Sequence, residues 1–142
     1  MEEWKDIEDF EGLYQVSNLG NVKSLPRRTT SGRILKIYTD VNMYSVIALC
    51  KDGKSKNTKV HLIVAKHFVE NPENKPFIDH INQDKTDNRA ENLRWCSHSE
   101  NHFNIPKRQG CSSKYKGVTW DKWNNKWKSS VKSNGKTIQV NC

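Results

Sequence analysis

A chain of 142 residues, 34% apolar and 28% charged, has room for one domain with a modest core, or for a small domain with an appendage. It contains no apolar run long enough to span a bilayer, and its acidic start, MEEWKDIEDFEG, lacks the basic-then-apolar layout of a secretion signal, so the expectation is a soluble, cytoplasmic protein. The formal net charge of +8 lies wholly in residues 103–142, where 9 basic residues face one acid, Asp121, while residues 1–102 hold 15 basic and 15 acidic residues; this points to a polyanionic partner for the tail.

In chain order, LYQVSNLGNVKSL (13–25) alternates apolar and polar residues around NLGN, which predicts two strands and a tight turn. PRRTTSGR (26–33) has loop composition. ILKIYTDVNMYSVIALC (34–50) is β-branched and alternating, KDGK (51–54) is a hairpin turn signal, and NTKVH continues the return strand. HLIVAKHFVEN predicts a short helix with Leu62, Ala65 and Val69 on one side, broken by NPENKP. FIDHI (77–81) and NLRWC (92–96) read as strands on either side of the turn-rich loop NQDKTDN. Ser97 and Glu100 form a capping box that starts a helix near His98, and Pro106 helps to end it. KRQGCSSK (107–114) reads as a linker, and residues 115–140 as three strands separated by WNNK and SNGK. The four cysteines, Cys50, Cys96, Cys111 and Cys142, show no C-x-x-C spacing, so free thiols are expected.

The stretch IDHINQDKTDNRAENLRWCSHSEN carries the chemistry. Strand, loop, strand and helix make a ββα unit, in which a helix carrying Asn101 packs across the strand carrying Asp79 and His80. Oxygens of Asp79 and Asn101 form a hard site suited to Mg²⁺ (or Mn²⁺), which accepts phosphate oxygens as further ligands. His80 is of the side-chain type that takes a proton from water. Asn92 is placed to fasten the loop through its backbone. These groups suit phosphodiester hydrolysis, in which a metal stabilises the charge developing on the leaving 3′ oxygen. Singly, each residue has a duller explanation as turn chemistry; order and spacing together favour the site.

The stretch resembles the HNH, or ββα-metal, nucleases, in particular their phage- and intron-encoded homing endonuclease branch. The resemblance implies that Asp79 is a metal ligand, His80 the general base, Asn92 the loop brace and Asn101 the second protein ligand. His98 and His102 flank Asn101 and compete for that place, and a histidine there would favour a softer metal. Upstream, EEWKDIEDFEGLYQVSNLGNVKSL resembles the module that precedes such domains, and VHLIVAKHF their His-Leu-Val-Ala helix, with His61 read as structural and hydrogen-bonded within the fold. Trp4, Tyr14 and Trp95 are read as core.

In the tail, Trp120, Trp123 and Trp127 are interleaved with lysines. YKGVTWDKWNNKWKSSVKSNGKTI resembles the plant ethylene-response-factor (Apetala-type) DNA-binding module, although the chain stops at Cys142 where that family's supporting helix would begin. Lys116, Lys122, Trp127 and Lys132 are the candidate DNA contacts there, and Arg27, Arg28 and Arg33 are secondary candidates for backbone contacts.

The expectation is therefore an α+β protein with an N-terminal β-rich DNA-binding module (1–60), an HNH core (61–106), a linker (107–114) and a C-terminal sheet (115–142). Its expected activity is divalent-metal-dependent cleavage of double-stranded DNA. The rival is a regulator that keeps the fold and binds DNA without cutting. The oligomeric state stays open, with a monomer preferred.

Overall fold

The computed structural model describes residues 1–104, 113, 115, 117–133 and 136–141. They form an α+β structure in which every paired strand is antiparallel. Two compact units emerge, residues 1–105 and 106–142.

In the first unit, β1 (Trp4–Asp6), β2 (Tyr14–Ser17), β3 (Val22–Ser24) and β4 (Arg33–Ile34) form one sheet in that order. The predicted alternation holds in β2 and β3, where Tyr14, Val16 and Val22 enter the core. The turn between them needs Gly20, whose φ of +87° is left-handed. β1 was not legible, because three residues are too few to show a period.

The stretch 34–50 is not one β run. After β4, a second sheet holds β5 (Tyr38–Thr39), β6 (Ser45–Lys51) and β7 (Lys54–Lys59). The break is made by Asp40, whose Oδ1 accepts the backbone N–H groups of Asn42 at 2.8 Å and Tyr44 at 2.9 Å. Asp and Asn are turn formers for this reason. Asp52 and Gly53 both take positive φ between β6 and β7, the two-residue turn that matches strand twist.

Helix α1 (Val60–Phe68) follows directly. Val60, Ile63 and Val64, spaced i, i+3, i+4, face the core. The expected face is therefore corrected: Leu62 is 43% exposed and Val69 is the extended residue that caps the helix. Val16, Val22, Ile47, Leu49, Val60, Val64 and Leu93 belong to one core cluster. The N-terminal strands and the ββα segment thus fold around the same apolar contacts. Trp95 packs against this core and donates its indole N–H to Val69 O at 3.0 Å.

The ββα unit comprises β8 (Phe77–His80), a 3-10 turn (Ala90–Asn92), β9 (Leu93–Cys96) and α2 (His98–Asn104). The capping box forms: Glu100 N–H donates to Ser97 Oγ at 3.3 Å, and Ser97 N–H to Glu100 Oε2 at 2.6 Å. These bonds, with Lys75, hold the Glu100 carboxyl down at about 2. Pro106 and the linker, apart from Ser113, lie outside the described residues.

In the second unit, β10 (Val118–Asp121), β11 (Lys126–Ser133) and β12 (Lys136–Asn141) form a three-stranded sheet in that order. Trp120 and Trp127 are cross-strand partners with ring centroids 5.0 Å apart. Asp121 forms an ion pair with Lys128. Among the described residues, no helix is long and apolar enough to cross a membrane. Cys50 and Cys96 are free thiols, with Cys96 buried.

Candidate active site

Alternation along β8 decides where the two central side chains go. Phe77 and Asp79 share the face on which α2 lies: Phe77 meets His98 edge-on at 5.9 Å, and Asp79 meets Asn104. His80 goes to the other side, against His61 of α1 and Tyr44 of the Asp40–Tyr44 turn. It is the last residue of β8, so the strand ends at the imidazole.

Asp79 is held through one oxygen. Its Oδ2 accepts Arg94 Nη2 at 2.9 Å from the paired position on β9, and Asn104 Nδ2 at 2.8 Å from α2. Asn104 Nδ2 also reaches His80 O at 2.9 Å, which ties the helix to the strand end. Among the described residues no hydrogen bond reaches Asp79 Oδ1. Asn101 stands one turn before Asn104 on the same side of α2, between the His98 and Asn104 contacts, and is half-buried. Its side-chain amide has no hydrogen bond among the described residues. His98 and His102 are exposed.

His80 is 5% exposed. Its Nε2 lies 3.3 Å from Asn88 Oδ1, and Asn88 Nδ2 donates to Thr86 O at 2.9 Å. That second bond fixes which end of the amide faces the ring. An amide oxygen can only accept, so Nε2 carries the proton. Nδ1 is left as the nitrogen with a lone pair to offer.

Asn92 fastens the loop from three sides. Its Oδ1 accepts Asn82 N–H at 3.0 Å, and its Nδ2 donates to Asn82 Oδ1 and to Asp87 O, each at 2.9 Å. Asp87 is clamped by Arg89 at 2.8 Å from both Nε and Nη2, which pulls its carboxyl down to about 2. Gly20 seals the loop from the N-terminal sheet: a Cβ there would meet Asn88 Cβ at 3.1 Å, and Ala90 N–H donates to Asn18 O at 2.8 Å.

His61 differs from expectation. Its Nδ1 is buried and has no hydrogen-bond partner among the described residues. The ring is instead packed between Tyr44 at 5.1 Å and His80 at 5.0 Å. Burial first, then the neighbouring His80 and Lys59, push its pKa down to about 4, so it is neutral at neutral pH.

Two family models match this architecture. Residues 2–50 match the NUMOD4 motif, and residues 58–103 match the HNH endonuclease family. The chain carries an HNH endonuclease domain behind a NUMOD4 motif. It is 43% identical over 99 residues to the DNA endonuclease I-HmuI of Bacillus phage SP01, covering 70% of this chain and 55% of that protein. It is 46% identical over 102 residues to the uncharacterized HNH endonuclease L247 of Acanthamoeba polyphaga mimivirus, covering 69% of this chain and 24% of the relative. A structure describing DNA binding and cleavage by the HNH homing endonuclease I-HmuI superposes with a TM-score of 0.65 at 43% identity, covering 72% of this chain and 56% of that one. The chain thus spans about half the length of the phage relative and a quarter of the viral one. Neither family match extends past residue 103.

The HNH domain offers oxygen donors for a cation. Among the described residues no three of His, Cys, Asp and Glu converge, and a hard divalent ion takes amide oxygens and water as ligands as readily as carboxylates. Asp79 Oδ1 and the Asn101 amide, neither hydrogen-bonded among the described residues, are oxygen donors of the chemical type that such an ion takes.

Of the candidate DNA contacts, Arg28 and Arg33 are exposed. Arg27 is folded back, with Nη2 3.3 Å from Tyr14 Oη and its guanidinium 5.2 Å from the Tyr14 ring centroid. Lys122 is exposed in the β10–β11 turn, and Trp127 is 41% exposed. Lys132 lies on β11 opposite Thr137, and Lys116 lies outside the described residues. Asn88, Arg94, Asn104 and Tyr44 were not singled out from sequence. Asn88 had the best available signal, as an asparagine in the same loop eight positions after His80.

Proposed function

We propose that this protein is a divalent-metal-dependent DNA endonuclease of the homing type, with His80 as general base and one metal ion. The observation that carries the reading is the His80 Nε2–Asn88 Oδ1 contact next to Asp79, on a strand crossed by the asparagines of α2. Asp79 and Asn101 would hold the ion, Mg²⁺ or Mn²⁺. When bound, the ion supplies charge stabilisation at the scissile phosphate and its leaving 3′ oxygen.

The rest of the work belongs to the protein. His80 Nδ1 takes a proton from water, while Asn88 holds the Nε2 proton and keeps the ring from turning. The water oxygen attacks phosphorus, the bond from phosphorus to the 3′ oxygen breaks, and the departing oxygen takes a proton from solvent, giving 5′-phosphate and 3′-hydroxyl ends. Arg94 and Asn104 steady Asp79. Asn92 keeps the loop closed behind the base. Tyr44 and His61 pack the imidazole without charging it, which leaves room for the positive charge His80 acquires.

Double-stranded DNA is the substrate, gripped by Arg28 and Arg33 and by the basic C-terminal strands through Lys116, Lys122, Trp127 and Lys132. Binding should weaken steeply with salt. The test is a supercoiled plasmid carrying a candidate target, incubated with Mg²⁺ or Mn²⁺ and with EDTA. Relaxation or linearisation by the wild type, lost in His80→Ala while DNA binding persists, supports the enzyme. Binding without cutting by the wild type supports the regulator instead. Deleting 107–142 should lower DNA affinity more than the cleavage rate at saturation; unchanged affinity removes the tail from the contact surface.

A further inference from the structure

Beside His80, two lysines from separate parts of the first unit converge on one aromatic ring. Lys59 Nζ lies 4.1 Å from the Tyr44 ring centroid, and Lys85 Nζ lies 4.6 Å from it. Lys59 ends β7 directly before α1, whereas Lys85 belongs to the loop between β8 and the 3-10 turn. The ring they share is 6.2 Å from His80 and 5.1 Å from His61. Lys85 Nζ also donates to Asn42 O at 3.1 Å, which draws the lysine toward the Asp40–Tyr44 turn.

Neither ammonium is neutralised at contact distance. Among the described residues, Lys66, Lys75, Arg89 and Arg94 each have a carboxylate within ion-pair reach, and Lys59 and Lys85 have none. Asp40 feels both lysines from beyond ion-pair distance, and its single charge offsets only part of their two. The first turn of α1, which begins after Lys59, has no acidic side chain, and its cap makes no side-chain bond. The helix therefore adds positive charge at this corner. The Tyr44 ring meets both ammonium groups, but a neutral ring carries no formal charge, so net positive charge is left at this corner for an anion to offset.

We propose that Lys59 and Lys85, braced on Tyr44, grip the DNA sugar–phosphate backbone beside His80 and set which phosphodiester the base reaches. Lysine suits this task as a compact point charge that follows a phosphate without demanding one fixed geometry. The two lysines also join the second sheet to the ββα loop across the site, so a backbone held between them is registered against both. This inference rests on the endonuclease reading, yet its binding step is measurable without cleavage.

The experiment uses the full chain and a duplex containing a mapped cut site. Lys59→Gln, Lys85→Gln, the double variant and the Lys→Arg pair are compared by DNA affinity in EDTA across a salt series. Each Lys→Gln change should make the slope of log K against log salt shallower by about one, and the double variant by about two. The arginine pair should restore the slope. In metal, the double variant should cut more slowly at saturating DNA and spread its cuts over neighbouring phosphates. An unchanged salt slope in the double variant overturns the proposal, and so does a lowered melting temperature with no change in slope, since both mean that the lysines serve only packing. A wild type that binds but never cuts overturns the endonuclease reading alone; the salt slope still decides the lysine pair.

Discussion

Asn88 accepts the Nε2 proton of His80 at 3.3 Å while its own amide nitrogen is committed to Thr86 O at 2.9 Å. One side chain thereby selects which imidazole nitrogen is basic. Asn88→Ala should lower single-turnover cleavage about 10–100-fold, the usual cost of losing a partner that orients a reacting group. DNA affinity should stay unchanged. Asn88→Asp keeps the acceptor and should recover much of the rate. Equal cleavage by Asn88→Ala and wild type would remove Asn88 from the mechanism.

Gly20 guards the same contact from the N-terminal sheet. Its φ is +87°, and an added Cβ would sit 3.1 Å from Asn88 Cβ and 3.2 Å from the Asn88 backbone. Gly20→Ala should cost about 1–3 kcal/mol, because backbone strain and crowding act together. It should also slow cleavage in the manner of Asn88→Ala. Urea denaturation and nicking kinetics on the same preparation check both effects.

His61 makes stability depend on pH. In the folded protein its pKa falls from 6.5 to about 4. Between those values the unfolded chain binds a proton that the folded protein refuses. Its contribution is therefore complete above about pH 6.5 and is lost as pH falls toward 4, by up to about 3 kcal/mol. His61→Phe should flatten this part of the profile relative to wild type. Parallel profiles for the two proteins would show that His61 is not buried in its neutral form.

Asn92→Ala removes three hydrogen bonds and leaves Asn82 N–H and Asp87 O without their side-chain partner. The expected loss is about 1–3 kcal/mol. Amide exchange should accelerate first in residues 81–89, ahead of β8 and β9. Uniform acceleration across the first unit would mean that Asn92 supports the whole core rather than the loop.

Much of the site was legible because it follows local rules. The Ser97–Glu100 capping box is a fixed four-residue pattern, and it places α2. The Asp79–His80 pair sits on a strand bounded by turn formers, so its position followed from composition. What stayed hidden depends on contacts distant in sequence. Asn104 meets Asp79 25 residues away, and Tyr44 reaches His80 from another sheet. No period or spacing encodes such meetings. The buried face of the helix is not readable from composition because Leu62 is as apolar as Ile63, and only the packed core decides which of them turns inward.

The apolar interior joins what the two family patterns divide. Val16 and Val22 fall within residues 2–50, Val64 and Leu93 within 58–103, and all four belong to one buried cluster. Anyone grafting residues 58–103 onto another module at residue 58 would strip half the wall from that interior and leave wet valines on both pieces. The transferable cassette therefore runs from the first strand to the end of α2, and module swaps belong downstream of it.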